Sequence, residues 1–162
     1  MKKYMIAGIV GCLLIAIVLG VVAVNNADKG IPRIVVSRYT DYLDETKDGI
    51  TINTLWEYCH FEIPEMRDMA VLSGGYLLSY KILEWESLSD KLWAVTTEFK
   101  TNQNPEGEIG VNFVGLIDGK YLVMNNVINI PEELKANIDL SRFEGSTKND
   151  KVQYEDLIGS VG

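Results

Sequence analysis

The sequence predicts an α+β domain behind an N-terminal transmembrane helix, the domain being built of helices packed on a four-stranded antiparallel sheet. Three observations predict it. Tyr4 to Val24 is 21 residues without a charge. Between Pro32 and Leu72 apolar residues recur at helical spacing, and from Tyr76 onward the period shortens to that of strands. Asp118-Gly119 then separates two apolar runs, the signature of a two-residue hairpin turn.

The chain of 162 residues is two materials joined end to end. Residues 1–24 hold 19 apolar side chains, with Lys2 and Lys3 as the only charges. Residues 25–162 carry 13 basic and 23 acidic side chains, a net charge of −10. No basic surplus is left to neutralise phosphates, which argues against nucleic-acid binding. The length suits one exported domain. Two cysteines, Cys12 inside the apolar run and Cys59 outside it, cannot form a disulfide framework.

A helix over Tyr4 to Val24 rises about 31 Å, enough to cross a hydrocarbon core. It exceeds the usual apolar region of a cleaved signal, so residues 1–24 read as a signal-anchor held in the lipid bilayer. The lysines before it keep the N-terminus cytoplasmic and place the domain outside the cell membrane. Two alternatives export the same domain. Val21-Val22-Ala23 resembles a peptidase site, giving a secreted form cleaved near Ala23. Ile9-Val10-Gly11-Cys12 resembles a lipobox, giving a lipoprotein modified at Cys12, although the apolar run continues past the cysteine.

Residues 25–30 form a polar linker. Pro32 suits the first turn of a helix whose face is Ile34, Val35, Tyr39, Tyr42 and Leu43, ended by Asp48-Gly49. Thr54-Leu55-Trp56-Glu57 reads as a capping box opening a second helix through Cys59. Pro64 opens a third, carrying Met66, Met69, Ala70 and Leu72 and stopped by Gly74-Gly75. Strands follow at Tyr76 to Trp85, Leu92 to Lys100, Glu108 to Ile117 and Lys120 to Ile130. Trp93, Val95, Thr97 and Phe99 share one face of the second strand.

The Asp118-Gly119 turn sets Ile117 opposite Lys120, hence Phe113 opposite Met124 and Val111 opposite Asn126. Ile109, Val111, Phe113, Leu122, Met124 and Ile128 then form the better core face. Val114, Leu116, Tyr121, Val123 and Val127 fall on the other side, away from the helices. That side is too apolar to be fully solvated, so these five are the candidate interface. Either a second copy or the segment beyond Pro131, through Leu134, Ile138 and Phe143, covers it. Residues 31–131 are the domain and residues 132–162 an extension, partly mobile around Gly145 to Asp150. Tyr154 to Ile158 reads as a solvated tail or a docking motif.

Helices followed by a meander ending in Phe113-Val114-Gly115-Leu116-Ile117-Asp118-Gly119-Lys120-Tyr121-Leu122-Val123 resemble the nuclear-transport-factor-2-like (cystatin-like roll) superfamily in its exported, membrane-anchored bacterial form. The resemblance covers about residues 31–131 and rests on element order. It implies a curved sheet cradling the helices, a ligand position between helix and sheet, and a homodimer through the outer sheet face. It carries no catalytic motif, and the chain continues some 30 residues past the last expected strand.

The chemistry-bearing residues are few. His60 and Cys59 are adjacent, and neighbours on a helix point about 100° apart, which disfavours a nucleophile pair. One histidine and one exported cysteine do not make a metal site, and no cofactor motif is present. Trp56, Trp85 and Trp93 crowd one half of the domain. Packing accounts for them first. The functional reading is an aromatic-lined pocket of Trp56, His60, Trp93 and Glu98. The expected function is therefore a non-enzymatic interaction or assembly domain outside the membrane, partnered by itself or by a membrane complex. The alternative is a small-molecule-binding, rarely catalytic roll.

Overall fold

The computed structural model describes residues 30–72 and 74–143. The predicted membrane span with Cys12 and Ala23, the linker up to Lys29, the segment from Gly145 to Asp150 and the tail with Tyr154 to Ile158 lie outside the described residues. Among the described residues no helix is long and apolar enough to cross a membrane.

Helix α1 spans Arg33–Glu45. Pro32 is its N-cap, with the extended backbone that proline favours, and Val35, Tyr39 and Leu43 form its buried stripe at four-residue spacing. Ile34 falls off that stripe and is 53% exposed. A 3-10 turn at Thr46–Asp48 continues α1, and Gly49, at φ 107°, ends it. Helix α2 spans Ile52–Tyr58. It starts one turn earlier than the Thr54 capping box implied, because Thr51 is the cap. Its hydroxyl accepts from the Thr54 amide at 3.1 Å. Cys59 is already extended and bridges Val123 in parallel. Helix α3 spans Pro64–Leu72 and is followed by Gly74 at φ 62°.

The sheet is an antiparallel meander in the order β1-β2-β3-β4, with β1 Leu77–Ser87, β2 Leu92–Thr101, β3 Glu108–Ile117 and β4 Lys120–Met124. Asp118 and Gly119, at φ 50° and 78°, make the predicted two-residue turn, and the predicted register follows from it: Ile117 faces Lys120 and Phe113 faces Met124. β4 is shorter than expected and never reaches the Val111–Asn126 pair. Asn126 instead accepts from the Asn129 amide at 3.1 Å and caps a 3-10 turn at Val127–Asn129. Such local side-chain bonds compete with a ladder. Asn129 is wholly buried, donating to Asn125 at 2.8 Å and accepting from the Glu62 amide at 3.1 Å.

The face assignment of the last hairpin is reversed. Val114 and Val123, expected to point away from the helices, are 0% and 1% exposed in the core beneath α1, with Trp93, Val95, Val35 and Tyr39. Tyr121 packs against the same cluster. The reason lies in the neighbouring strand. Trp93 faces Val114 and Val114 faces Val123 across the ladder, so the helix-facing side of β2 carries these residues with it. Leu116 is half-buried, and Val127 lies beyond β4 and packs on the opposite cluster.

That opposite side, Leu92, Ala94, Phe113 and Met124, is closed by the segment after β4. Ile130, Leu134 on the short helix α4 (Glu132–Lys135), and Leu140 are buried there, and Phe143 meets Phe113 edge-on at 5.3 Å. The segment beyond Pro131 thus folds back, but onto the side of the sheet opposite the strip assigned to it. Gly115 allows the close approach: a Cβ there would sit 2.8 Å from both Leu134 Cδ1 and Met124 Cε. Both faces of the sheet are therefore covered in part by one chain. The β1 edge carries two register breaks, between Leu77 and Ser79 and between Ile82 and Glu84, which leave Leu78 and Leu83 exposed. Such bulges discourage edge-to-edge pairing.

Candidate functional site

Two of the four pocket residues come together. Trp56 and His60 line a cleft of about 500 Å³ beside β4, with Arg38, Glu57, Cys59, Lys120 and Leu122. The size falls within the range of small-ligand and side-chain pockets. Trp93 does not line it. Its ring is 3% exposed and packs 6.0 Å from Tyr121 in the core, because it lies on the strand face that α1 covers. Glu98 does not line it either. One residue on from Thr97, it belongs to the other face of β2, in register with Lys81 and Ile109.

Arg38 assembles the cleft. It lies on the flank of α1, where its Nε donates to the Tyr121 carbonyl at 3.0 Å and its Nη2 to the Glu57 carbonyl. The guanidinium stacks 4.1 Å over the Tyr58 ring, and Nη1 is 3.7 Å from the Glu57 carboxylate. One side chain thereby joins α1, the end of α2 and β4. The His60 amide donates to the Val123 carbonyl at 2.9 Å, which extends the β4 edge and directs the imidazole into the cleft mouth, 3.3 Å from Glu62. Trp56 is 63% exposed, and Arg67 stacks 3.6 Å over its ring.

Arg38, His60 and Lys120 thus surround an exposed indole and the apolar Leu122 in a chain of net charge −8, with Glu57 beside Arg38 and Glu62 beside His60 offsetting part of their charge. Such a cleft suits a carboxylate beside an apolar side chain. It is poorly built for nucleophilic catalysis. Burial pushes the Cys59 thiol up to about 12, so at neutral pH it is protonated. Native Cys59 should therefore react with iodoacetamide at pH 8 on the order of 100-fold more slowly than in the unfolded chain. Mass mapping of the Cys59 peptide against time checks this. Among the described residues no group of three or more His, Cys, Asp or Glu is placed to hold a metal ion.

Sequence reasoning missed Arg38 and Lys120. Arg38 sits off the apolar stripe and looks like any solvated helix flank, while Lys120 looks like a turn residue. Only the packing of α2 against β4 brings them to Trp56.

A second recess, of about 250 Å³, lies at the other end of α1 and is lined by Tyr42, Thr46, Phe99, Glu108 and Asn112 among others. Beneath it the Tyr39 hydroxyl shares a 3.0 Å hydrogen bond with Thr97 and accepts from Asn112 Nδ2 at 2.8 Å. Burial raises Tyr39 to about 12. Tyr39 and Cys59 both hold their protons more tightly folded than unfolded, so their contribution to stability is complete at neutral pH and is lost as pH rises from about 9 toward 12.

No protein-family model, no curated protein and no solved structure matches this chain.

Proposed function

We propose that this chain is a non-enzymatic recognition domain held outside the cell membrane by Tyr4 to Val24, of the roll type that its element order resembles. It contacts a partner protein through the Trp56 cleft. The observation that carries this reading is where the large aromatics lie. Trp85 and Trp93 are consumed by the core, whereas Trp56 is 63% exposed beside Arg38, His60 and Lys120. An exposed tryptophan in a cleft with a guanidinium is the residue set that dominates protein–protein binding energy. The partner chemistry it suits is a segment presenting a carboxylate next to an apolar side chain.

The test is photocrosslinking in intact membranes with a photoreactive residue at position 56 and, as reference, at position 81, an exposed site on β1. A discrete adduct from position 56, absent at position 81, supports the reading. No adduct, or the same adducts from both, contradicts it. Trp56→Ala should abolish partner binding while costing about 1 kcal/mol or less in stability, because what it loses inside the fold is an exposed cation–π contact. Urea melting of the variant checks the second half.

The small-molecule reading is supported by one feature, the recess lined by Phe99 and Asn112. A ligand there would raise the melting temperature of wild type and lose that effect in Asn112→Leu.

A further inference from the structure

The charges of α1 run against its own dipole. A helix N-terminus favours acidic side chains and its C-terminus basic ones. α1 has no acidic residue in its first turn and no basic one in its last; Arg33 opens it, and Asp44 and Glu45 close it. This arrangement does nothing for the helix, and it continues into the domain around it.

The contacts of α1 say which end is which. Its C-terminal Leu43 lines the recess with Leu77, Thr101 and Glu108, and Asp44 accepts from the Tyr80 hydroxyl at 3.2 Å. The C-terminus therefore lies toward the β2–β3 loop, and the N-terminus toward the β1–β2 and β3–β4 turns. Those two turns are held side by side by the Leu116 amide donating to the Lys91 carbonyl at 2.9 Å. At this end Arg33, Lys91 and Lys120 are exposed, with Ile34 beside Arg33 at 53% exposure. Asp90 and Asp118 oppose them in part, and Glu86 at the end of β1 is paired with Arg142. The other end adds Asp48, Glu106 and Glu108 to Asp44 and Glu45, with Lys47, paired to Asp44 at 2.6 Å, and Lys100 offsetting part of that charge.

The tether decides what the basic end meets. The apolar run ends at Val24, and Ile31 is buried in the domain. Seven residue steps span at most about 25 Å however they are arranged. The tether thus keeps the end of the domain that carries Ile31 and Arg33 within about 25 Å of the bilayer. Screening confines electrostatic attraction to about 8 Å at physiological salt, a distance that so short a tether brings within reach.

We propose that this end of the domain, Arg33 with Ile34 and the β1–β2 turn bearing Lys91, rests on the anionic headgroups of the membrane that anchors the chain, with Lys120 left to the Trp56 cleft and the acidic end turned away. The proposal rests on the membrane-anchored reading above. Basic side chains at the surface of an anionic leaflet are attracted to it, and Ile34 enters the headgroup layer beside Arg33.

The experiment uses the full chain in nanodiscs of phosphatidylglycerol and phosphatidylcholine, or of phosphatidylcholine alone, doped with a nitroxide-headgroup lipid. The readout is amide NMR line broadening. In anionic discs the amides of Ile34, Lys91 and Gly119 should lose about half of their intensity or more while those of Gly75, Asn102 and Glu106 keep theirs. The contrast should shrink in phosphatidylcholine alone and in an Arg33→Glu/Lys91→Glu variant whose spectrum shows it folded. Equal broadening at both ends, or a contrast indifferent to lipid charge and to the variant, overturns the proposal. Extraction of the full chain from membranes by alkaline carbonate overturns the anchor and the proposal together. Retention without end-selective broadening overturns the orientation alone.

Discussion

Val123→Glu is expected to abolish cooperative folding, with a loss of at least about 4 kcal/mol. Val123 is 1% exposed, sits in the core beneath α1, and lends its carbonyl to the His60 amide and its backbone to the Cys59 bridge. Removing its methyl groups forfeits about 1.5–3 kcal/mol of burial, and the new carboxylate gains no partner to offset its desolvation. Ile109→Lys is the control. Ile109 lies on the other face of the sheet at 57% exposure, so the charge stays in water and the change should fall within about 0.5 kcal/mol. Urea unfolding followed by circular dichroism measures both. A folded Val123→Glu domain with wild-type stability would return Val114, Tyr121 and Val123 to an outer surface, and the core described above would be wrong.

The second large effect lies on the opposite face. Leu134→Ala and Leu140→Ala should each cost about 2–3 kcal/mol, and the double variant should lose cooperative unfolding. Both side chains are 7% exposed and close the sheet over Leu92, Ala94, Phe113 and Met124. Opening that cover leaves a continuous apolar patch, so the double variant should also bind a hydrophobic dye and self-associate. Lys135→Ala, which removes only a surface pair with Glu132, should change stability by about 0.5 kcal/mol or less. Melting curves and light scattering separate these outcomes. A double variant that melts as wild type would mean that residues 130–143 do not cover the sheet.

The two predictions share a lesson about what the residues reveal. The hairpin register was legible because Asp118-Gly119 admits one turn geometry and pairing then propagates from it. The α1 stripe was legible because Val35, Tyr39 and Leu43 fall on one helical face. The choice between the two faces of β3 and β4 was not, because both are apolar and periodicity alone carries no direction. The Trp93–Val114 pairing decides it, and that pairing is visible only once β2 lies beside β3. The end of β4 was illegible for a related reason. Val127, Ile128 and Ile130 read as a continuing apolar strand, while the side-chain amides of Asn125, Asn126 and Asn129 build a turn around the buried Asn129.

The candidate site divides in the same way. Trp56 and His60 were recognisable as unusual residues, and they do share a cleft. Trp93 and Glu98 were grouped with them by proximity in sequence, although alternate strand residues face opposite sides and α1 claims the side that holds Trp93. Arg38 contributes most to the architecture of the cleft and carries no sequence signal. Its three attachments, to Tyr121, Glu57 and Tyr58, join segments that local patterns do not connect.

The central claim, a recognition domain displayed outside the membrane on an uncleaved anchor, is tested most directly by protease treatment of intact spheroplasts carrying the full chain with an N-terminal tag. The account predicts that external protease removes residues 31–162 while the tagged anchor fragment stays in the membrane pellet. Protection of the domain until the membrane is permeabilised, or recovery of the domain in the medium free of its anchor, would contradict it.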